Sequence, residues 1–566
     1  MINLKENPFN LSDKDIKWVE ETLAGMTFDE KIGQIFCLLG KNPDQEVIEM
    51  VEKAKAGGVM FRPAAGREIQ KVQRELQKRS KISLLLAANL EGGGSGIAID
   101  GTNYATQMGI AATDDKEMAY RLGLIAGREG RAVGCNWAFA PVIDIDFNCQ
   151  NPITNTRTYG SDPDRVLRMA KAYMKGLQEN GLAVSIKHWP GDGVDGRDQH
   201  LVTSVNTLSC EEWDQTYGKV YKGMIDAGAR TVMSAHIMQP AYTRKFKPGI
   251  QDEEIIPASL APEINNELLR EQLGFNGLIV TDATVMAGFT AVMRRKKAVP
   301  YSIAAGCDMF LFTADLGEDI RFMKEGVEEG VLSQERLDEA VTRILALKAS
   351  LKLHEQQEKG TLVPDEDALE VLKCAEHEQW AEECADKAIT LVKDNQQLLP
   401  LNKDKHKRIL LYIKGDVGGY MDKGGGVSSH FVELMEEEGF EITCHDYSKV
   451  HESDLRNPPS YYTDRYDLIL YFASLKTASN QTVVRINWGQ PMGFDVPKYV
   501  EDIPTAFISV DNPYHLQDVP MVKTFINGYT SNKYVVRAMV NKLLGRSEFK
   551  GINSVDPYCE YWDASF

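Results

Sequence analysis

Between residue 32 and about residue 313 the chain repeats one unit: a short unbroken apolar run, a polar or glycine-rich break, and a longer segment with helical apolar spacing. The runs are IGQIFCLLG (32–40), GGVMF (57–61), SLLLAAN (83–89), WAFAPVIDI (137–145), AVSIK (183–187), TVMSA (231–235), GLIVT (277–281) and DMFLF (308–312). Runs that are apolar without alternation belong to strands buried on both faces, which is the condition of a parallel sheet covered by crossover helices. Eight such strands are the number that closes a barrel. An open, doubly wound sheet would carry a glycine-rich phosphate loop after its first strand, and no GxGxxG follows residues 32–40. The pattern therefore predicts an α/β fold with a TIM-type (β/α)8 barrel over residues 1–350.

Residues 314–388 carry strong helix formers, as in SQERLDEAVTRILALKASLKL, and residues 351–388 read as a helical linker. A second α/β pattern follows with AITLVKD, RILLYI (408–413), DLILYF (467–472) and TAFISV (505–510), and predicts a smaller α/β sandwich domain over 389–566. Its segment GDVGGYMDKGGG (415–426) lacks the GK[ST] that would make it a phosphate cradle, and reads as a loop.

Composition narrows the function without naming it. With 64 basic against 82 acidic residues the net charge is −18, and no Lys/Arg block stands out that could follow a phosphate backbone or an anionic membrane. Neither nucleic acid nor a membrane is expected as a partner, and the oligomeric state leaves no trace in the pattern. The amino terminus, MINLKENPFNLSDKD, has no basic segment followed by an apolar one, so a cytoplasmic location is expected. Nine scattered cysteines without CxxC spacing read as reduced thiols, and no cofactor is called for.

The polar residues that follow the apolar runs carry the chemistry: Asn89 and Glu91 after the third, Lys187 and His188 after the fifth, His236 after the sixth and Asp282 after the seventh. In a barrel these positions converge on one face. Asp282 directly ends a run and would present its carboxylate at the barrel mouth, its alternative being a helix N-cap for ATVMAGF. The loop KHWPGDGVDGRDQH (187–200) is glycine-rich and holds Asp198 two residues from His200, close enough for the carboxylate to fix one imidazole tautomer and stabilise its cation. Cleaving an acetal needs a proton for the leaving oxygen and a carboxylate at the developing oxocarbenium ion, and these two loops offer both.

KHWPGDG followed by DQH resembles the KHFPGHG…DSH loop of family 3 glycoside hydrolases, in particular the β-N-acetylglucosaminidase branch with an Asp-His acid/base pair. Other stretches agree in order: MTFDEKIGQ (26–34), NLEGG (89–93), GREGRAVGCNWAFAPVIDI (127–145), RTYGSDP (157–163), SAHI (234–237), PASL (257–260), LGFNGLIVTD (273–282) and SIAAGCDMFL (302–311). The resemblance implies Asp282 as nucleophile, His200 as acid/base and Asp198 as its partner. It places Lys187, His188 and Arg157 where sugar hydroxyls are bound, and His236 in the matching VMSAH segment. Asn89 stands where the family has an aspartate, which puts substrate identity in question, while Asp192 replaces the second histidine of PGHG and Gln199 the serine of DSH. The implied activity is retaining, exo-acting removal of terminal β-linked N-acetylglucosamine from a small oligosaccharide.

Three other readings compete. A phosphorylase would use phosphate as acceptor, since an imidazole acid/base does not repel an anion as a carboxylate would. A metal-dependent barrel hydrolase would recruit His188, His200, His236, Asp282 and Asp315, but CLLGKN stands where such enzymes carry an HxH pair, so no metal is expected. A non-catalytic sugar-binding protein would need Lys187 and Arg157 without Asp282 and the Asp198–His200 pair.

Overall fold

The computed structural model describes residues 2–419, 422–449, 457–476 and 479–566. The chain divides into two compact units, one of Met1–Tyr104, Ala119–Asn151 and Pro163–Glu378, the other of Ala105–Met118, Pro152–Asp162 and Gln379–Phe566.

The first unit is an eight-stranded parallel α/β barrel. Its strands in order are Phe36–Gly40, Gly58–Phe61, Leu85–Ala88, Trp137–Ala138, Ala183–Trp189, Thr231–Ser234, Leu278–Thr281 and Phe310–Leu311, the last pairing back onto the first. Every one of the eight apolar runs contributes a strand. The seam between the seventh and eighth strands is a single bridge, Val280 with Met309. Asp308 reinforces it, accepting from the Ile279 N–H (2.9 Å), Arg270 (2.7 Å) and Arg336 (2.6 Å).

Two runs are shorter as strands than their apolar lengths. Residues 32–34 belong to the helix Phe28–Gln34, because Thr27 and Glu30 form a reciprocal capping box that starts a helix just ahead of the strand. The fourth strand stops at Ala138, and after Pro141 only Val142 returns to the sheet, bridging Lys187. The helices bury one stripe each, as Pro163–Glu179 does with Val166, Met169, Ala170, Tyr173, Met174 and Leu177.

The second unit holds a six-stranded sheet in the order Thr390–Asp394, Thr524–Asn527, Thr505–Ser509, Leu468–Ser474, Arg408–Gly415 and Glu441–Cys444, parallel except for the first strand. Tyr412, Tyr471, Phe507 and Phe525 stack in sequence across four neighbouring strands, 4.8, 5.8 and 5.3 Å between successive ring centroids, and fix the packing of one face. In the glycine-rich stretch Val417–Gly419 pairs with Asp422–Gly424, while residues 420 and 421 lie outside the described residues. Of the residues read as a linker, the helix Leu353–Lys359 lies in the first unit and the helix Ala375–Ala388 runs across the division at residue 378. No helix among the described residues is long and apolar enough to cross a membrane.

All nine cysteines are free thiols, with Cys37, Cys135, Cys307 and Cys384 buried and Cys444 exposed. One buried cation also stands out. Lys348, fully buried in the helix Gln334–Ser350, donates to Gln34 Oε1 at 2.6 Å and has no carboxylate partner among the described residues, so burial brings its pKa down to about 7. In the folded state it is neutral above that pH, whereas in the unfolded chain it keeps its proton to about 10.5. The unfolded state therefore binds more protons between these values, and this group makes stability rise with pH across that window at about 1.4 kcal/mol per pH unit. Substituting Lys348→Met should flatten the rise of the denaturant midpoint between pH 7 and 10; an unchanged slope would show that Lys348 is charged in the fold.

Candidate active site

Asp282 follows the last residue of the seventh strand and is buried. Its N–H donates to the Ser234 carbonyl (2.7 Å) and its Oδ1 accepts the Ala283 N–H (2.7 Å), which leaves Oδ2 without a donor among the described residues. It caps no helix: the next helix, Ala287–Thr290, begins after Met286. The helix-cap alternative is thereby removed. Burial disfavours its charge, but the imidazoles of His188, His236 and His200 more than offset this and hold its carboxyl below the ordinary carboxylate value. Three histidines, two from the fifth strand and its following loop and one from beyond the sixth strand, thus act on one carboxylate.

His200 is the solvent-accessible member of the group, its side chain 25% exposed. Its Nδ1 lies 2.7 Å from Asp198 Oδ1, and its own N–H donates to the same oxygen at 2.8 Å. Because a carboxylate accepts only, Nδ1 carries a hydrogen and Nε2 is the nitrogen that can gain or lose a proton. The Asp198 carbonyl receives the N–H groups of Leu201 and Val202, so the residues carrying His200 form a closed turn.

His188 is the last residue but one of the fifth strand and is held by Asp144, which meets its Nδ1 at 2.6 Å and its N–H at 3.0 Å. Lys187 is buried and paired with Glu91 at 2.7 Å. His236 is fully buried and both its ring nitrogens are taken: Nε2 donates to the Ala283 carbonyl (3.0 Å) and Nδ1 faces the Ser259 hydroxyl (2.9 Å). Burial lowers its pKa, with the nearby Asp282 charge pulling the other way. Asn89 is exposed, one residue beyond the third strand. Arg157 ends the turn Asn155–Arg157 in the 152–162 segment, which belongs to the second unit, where its Nη1 donates to the Ile153 carbonyl (3.3 Å). In that unit too, Arg485 pairs with Asp518, and the Lys414 ammonium sits 4.6 Å from the Trp488 ring centroid.

The loop 187–206 is tied down from several directions. Asp192 donates its N–H to Asp144 Oδ1 (2.8 Å), and its carboxylate accepts Asn151 Nδ2 (3.0 Å) and the Gly193 N–H (2.7 Å). Burial first, then the nearby Asp144 charge, pushes the Asp192 carboxyl well above the carboxylate range. Gly288 presses against the same loop: a Cβ there would lie 2.6 Å from the Gln199 carbonyl and 3.0 Å from that of Val202, so only glycine allows this approach.

The residues singled out for metal binding form no ligand group. Asp315 caps the helix Leu316–Glu328 by accepting the Glu318 N–H (2.8 Å). Among the described residues the side chains close enough to share an ion are Asp15, His354 and Glu355, none of them from the barrel loops discussed above.

Asp144 was not predicted as a site residue, and Glu91 was named after the third run but given no role. Asp144 left a signal, an acidic residue inside the apolar run WAFAPVIDI, where a buried charge needs a partner. Glu91 stood in the resembling segment NLEGG without an assigned partner.

A parallel barrel that brings a buried carboxylate and an Asp-held imidazole to its strand ends offers the two groups that cleavage of an acetal needs. The chain belongs to glycosyl hydrolase family 3: the model of the family's N-terminal domain matches residues 27–347. It is 47% identical, over the whole of both chains, to a β-N-acetylglucosaminidase/β-glucosidase of Cellulomonas fimi. Among solved structures it is similar to a β-glucoside phosphorylase at 47% identity, with a TM-score of 0.93 and 99% of each chain covered. A family 3 β-N-acetylglucosaminidase of Paenibacillus sp. str. FPU-7 shares the fold at 24% identity, with a TM-score of 0.79 over 94% of this chain and 99% of that one.

Proposed function

We propose that the chain is a retaining, exo-acting β-N-acetylglucosaminidase that removes terminal β-linked N-acetylglucosamine from oligosaccharides by double displacement. One observation carries the reading: a carboxylate kept ionised by surrounding imidazoles, Asp282, accompanied by an imidazole, His200, whose Nδ1 is fixed by Asp198 and whose Nε2 has no protein partner among the described residues. Asp282 Oδ2 attacks the anomeric carbon as the glycosidic C–O bond breaks, and His200 Nε2–H delivers its proton to the departing oxygen. Asp198 stabilises the imidazolium beforehand and leaves His200 neutral, with its hydrogen on Nδ1, afterwards. Water then gives a proton to Nε2 and attacks the anomeric carbon, releasing Asp282 with the β configuration restored. Lys187, His188 and Asn89 are the barrel's candidates for holding sugar hydroxyls. His236, with both nitrogens occupied, would contribute its ring and its hold on Ala283. The name of the Cellulomonas fimi relative supports this substrate class and adds β-glucosides to it.

A second reading has its own support. A phosphate anion entering for the second step meets an imidazole instead of a second carboxylate, and the 47% identical solved structure is named a β-glucoside phosphorylase. Phosphate would attack the anomeric carbon without giving up a proton, and the product would be the sugar 1-phosphate. Incubation with 4-nitrophenyl N-acetyl-β-D-glucosaminide and the matching glucoside, with and without phosphate, followed by mass analysis of the sugar, separates these outcomes. Free N-acetylglucosamine at an unchanged rate supports the hydrolase. The 1-phosphate with a phosphate-dependent rate establishes the phosphorylase, and no turnover of either glycoside rejects both.

A further inference from the structure

Gln199 lies between the two members of the Asp198–His200 pair and is almost completely buried, 1% exposed. Its amide points away from both neighbours. Oε1 accepts the N–H of His236 at 3.0 Å, and Nε2 reaches Asp192 Oδ2 at 3.5 Å, the longer and weaker of the two contacts. His236 in turn holds the Ala283 carbonyl through Nε2, and the Ala283 N–H holds Asp282 Oδ1. On the other side, Asp192 donates to Asp144, the carboxylate that fixes His188. One side chain therefore links the turn of His200 to the segments of His236 and Asp282 on one side and, through Asp192 and Asp144, to His188 on the other.

The backbone reinforces this junction. The His200 carbonyl accepts the Ala287 N–H (3.1 Å), four residues beyond Ala283. The Gln199 carbonyl sits where Gly288 has no side chain. Without the amide, the His236 N–H would lose its acceptor in a buried place, and loss of a buried partner is destabilising unless the loop shifts to compensate. Gln199 and Asp192 are also the two positions at which this loop departs from the PGHG…DSH pattern, and here their side chains meet.

We propose that Gln199 is a positioning residue for proton transfer, tying the turn that carries His200 to the strand ends of His236 and Asp282, and that Asp192 and Gln199 form one coupled pair. This rests on the double-displacement reading, in which His200 supplies the proton. A misplaced acid is felt only where the leaving group needs protonation, so the signature is selective.

The test uses the full chain and a series of aryl N-acetyl-β-D-glucosaminides running from dinitrophenolate to weakly acidic phenols as leaving groups. With Gln199→Ser, kcat/KM is expected to fall about 10²-fold on the poorest leaving groups and to change little on the dinitrophenyl substrate, so its dependence on leaving-group pKa steepens. The double variant Asp192→His/Gln199→Ser should recover part of that loss, which makes the two changes non-additive. Gln199→Glu, nearly isosteric, keeps one oxygen for His236 but sets a carboxylate against Asp192, and its deficit should grow with rising pH. It also carries the test if the serine variant does not fold. An equal loss on every leaving group, no loss at all, or strict additivity in the double variant overturns the proposal. A wild-type enzyme that cleaves none of the series overturns the underlying reading instead.

Discussion

Asp282→Asn should leave a folded protein with kcat reduced on the order of 10⁴-fold on 4-nitrophenyl N-acetyl-β-D-glucosaminide. The size follows from what is lost. The side chain keeps its shape and can still receive the Ala283 N–H, but the oxygen without a protein donor becomes part of a neutral amide that cannot form the glycosyl-enzyme bond. Asp282→Gly with added azide sharpens the result, because a small anion entering the vacated space should restore turnover and give a glycosyl azide of inverted configuration. Near-normal activity of either variant without azide would remove Asp282 from the mechanism. The same carboxylate sets the acid limb of the wild-type profile. Its pKa lies below the ordinary carboxylate value, so Asp282 stays ionised as pH falls, and kcat/KM should decline only at a pH below the usual carboxylate range. A limb in the range of an unperturbed carboxylate would mean that the three imidazoles do not act on it.

His200→Ala should produce a loss that depends on the substrate. Proton donation contributes about 10²–10⁴-fold where the leaving oxygen is basic, and almost nothing where the departing group is a nitrophenolate already stable as an anion. With oligosaccharides or phenyl glycosides the variant should be nearly inactive, whereas with the dinitrophenyl glycoside its first step should remain fast and its second, if water is the acceptor, should become limiting. A burst of phenol release followed by slow turnover is the expected trace. Phosphate, which needs no base, should then speed that slow phase. Equal losses on all substrates would count against His200 as the proton donor.

The barrel was legible because burial of a strand on both faces leaves an uninterrupted apolar run, and each of the eight runs became a strand. What the apolar pattern could not show was where pairing stops. Residues 32–34 were drawn into a helix by the capping pair Thr27 and Glu30, and Pro141 limited the fourth strand to Trp137–Ala138. Nor does a linear pattern reveal that residues 105–118 and 152–162 associate with a unit formed hundreds of positions later. Asp282 and the Asp198–His200 contact could be read because the residue types and spacing are dictated by the chemistry. The hold of Asp144 on His188, of Glu91 on Lys187 and of Gln199 on His236 could not, because each joins side chains from different loops, and only the closed barrel brings those loops together.

The thiols of the barrel provide a clock for its opening. Cys37 lies on the first strand, Cys135 just ahead of the fourth and Cys307 just ahead of the eighth, all three shut away from solvent, and burial drives their thiols far from the reactive thiolate form, Cys135 and Cys307 up to about 12. An alkylating reagent can reach them only when strands part, whereas the exposed Cys444 reports on the second unit from the start. The order in which the nine thiols are modified, followed peptide by peptide, would therefore record which side of the barrel yields first, without any label being introduced.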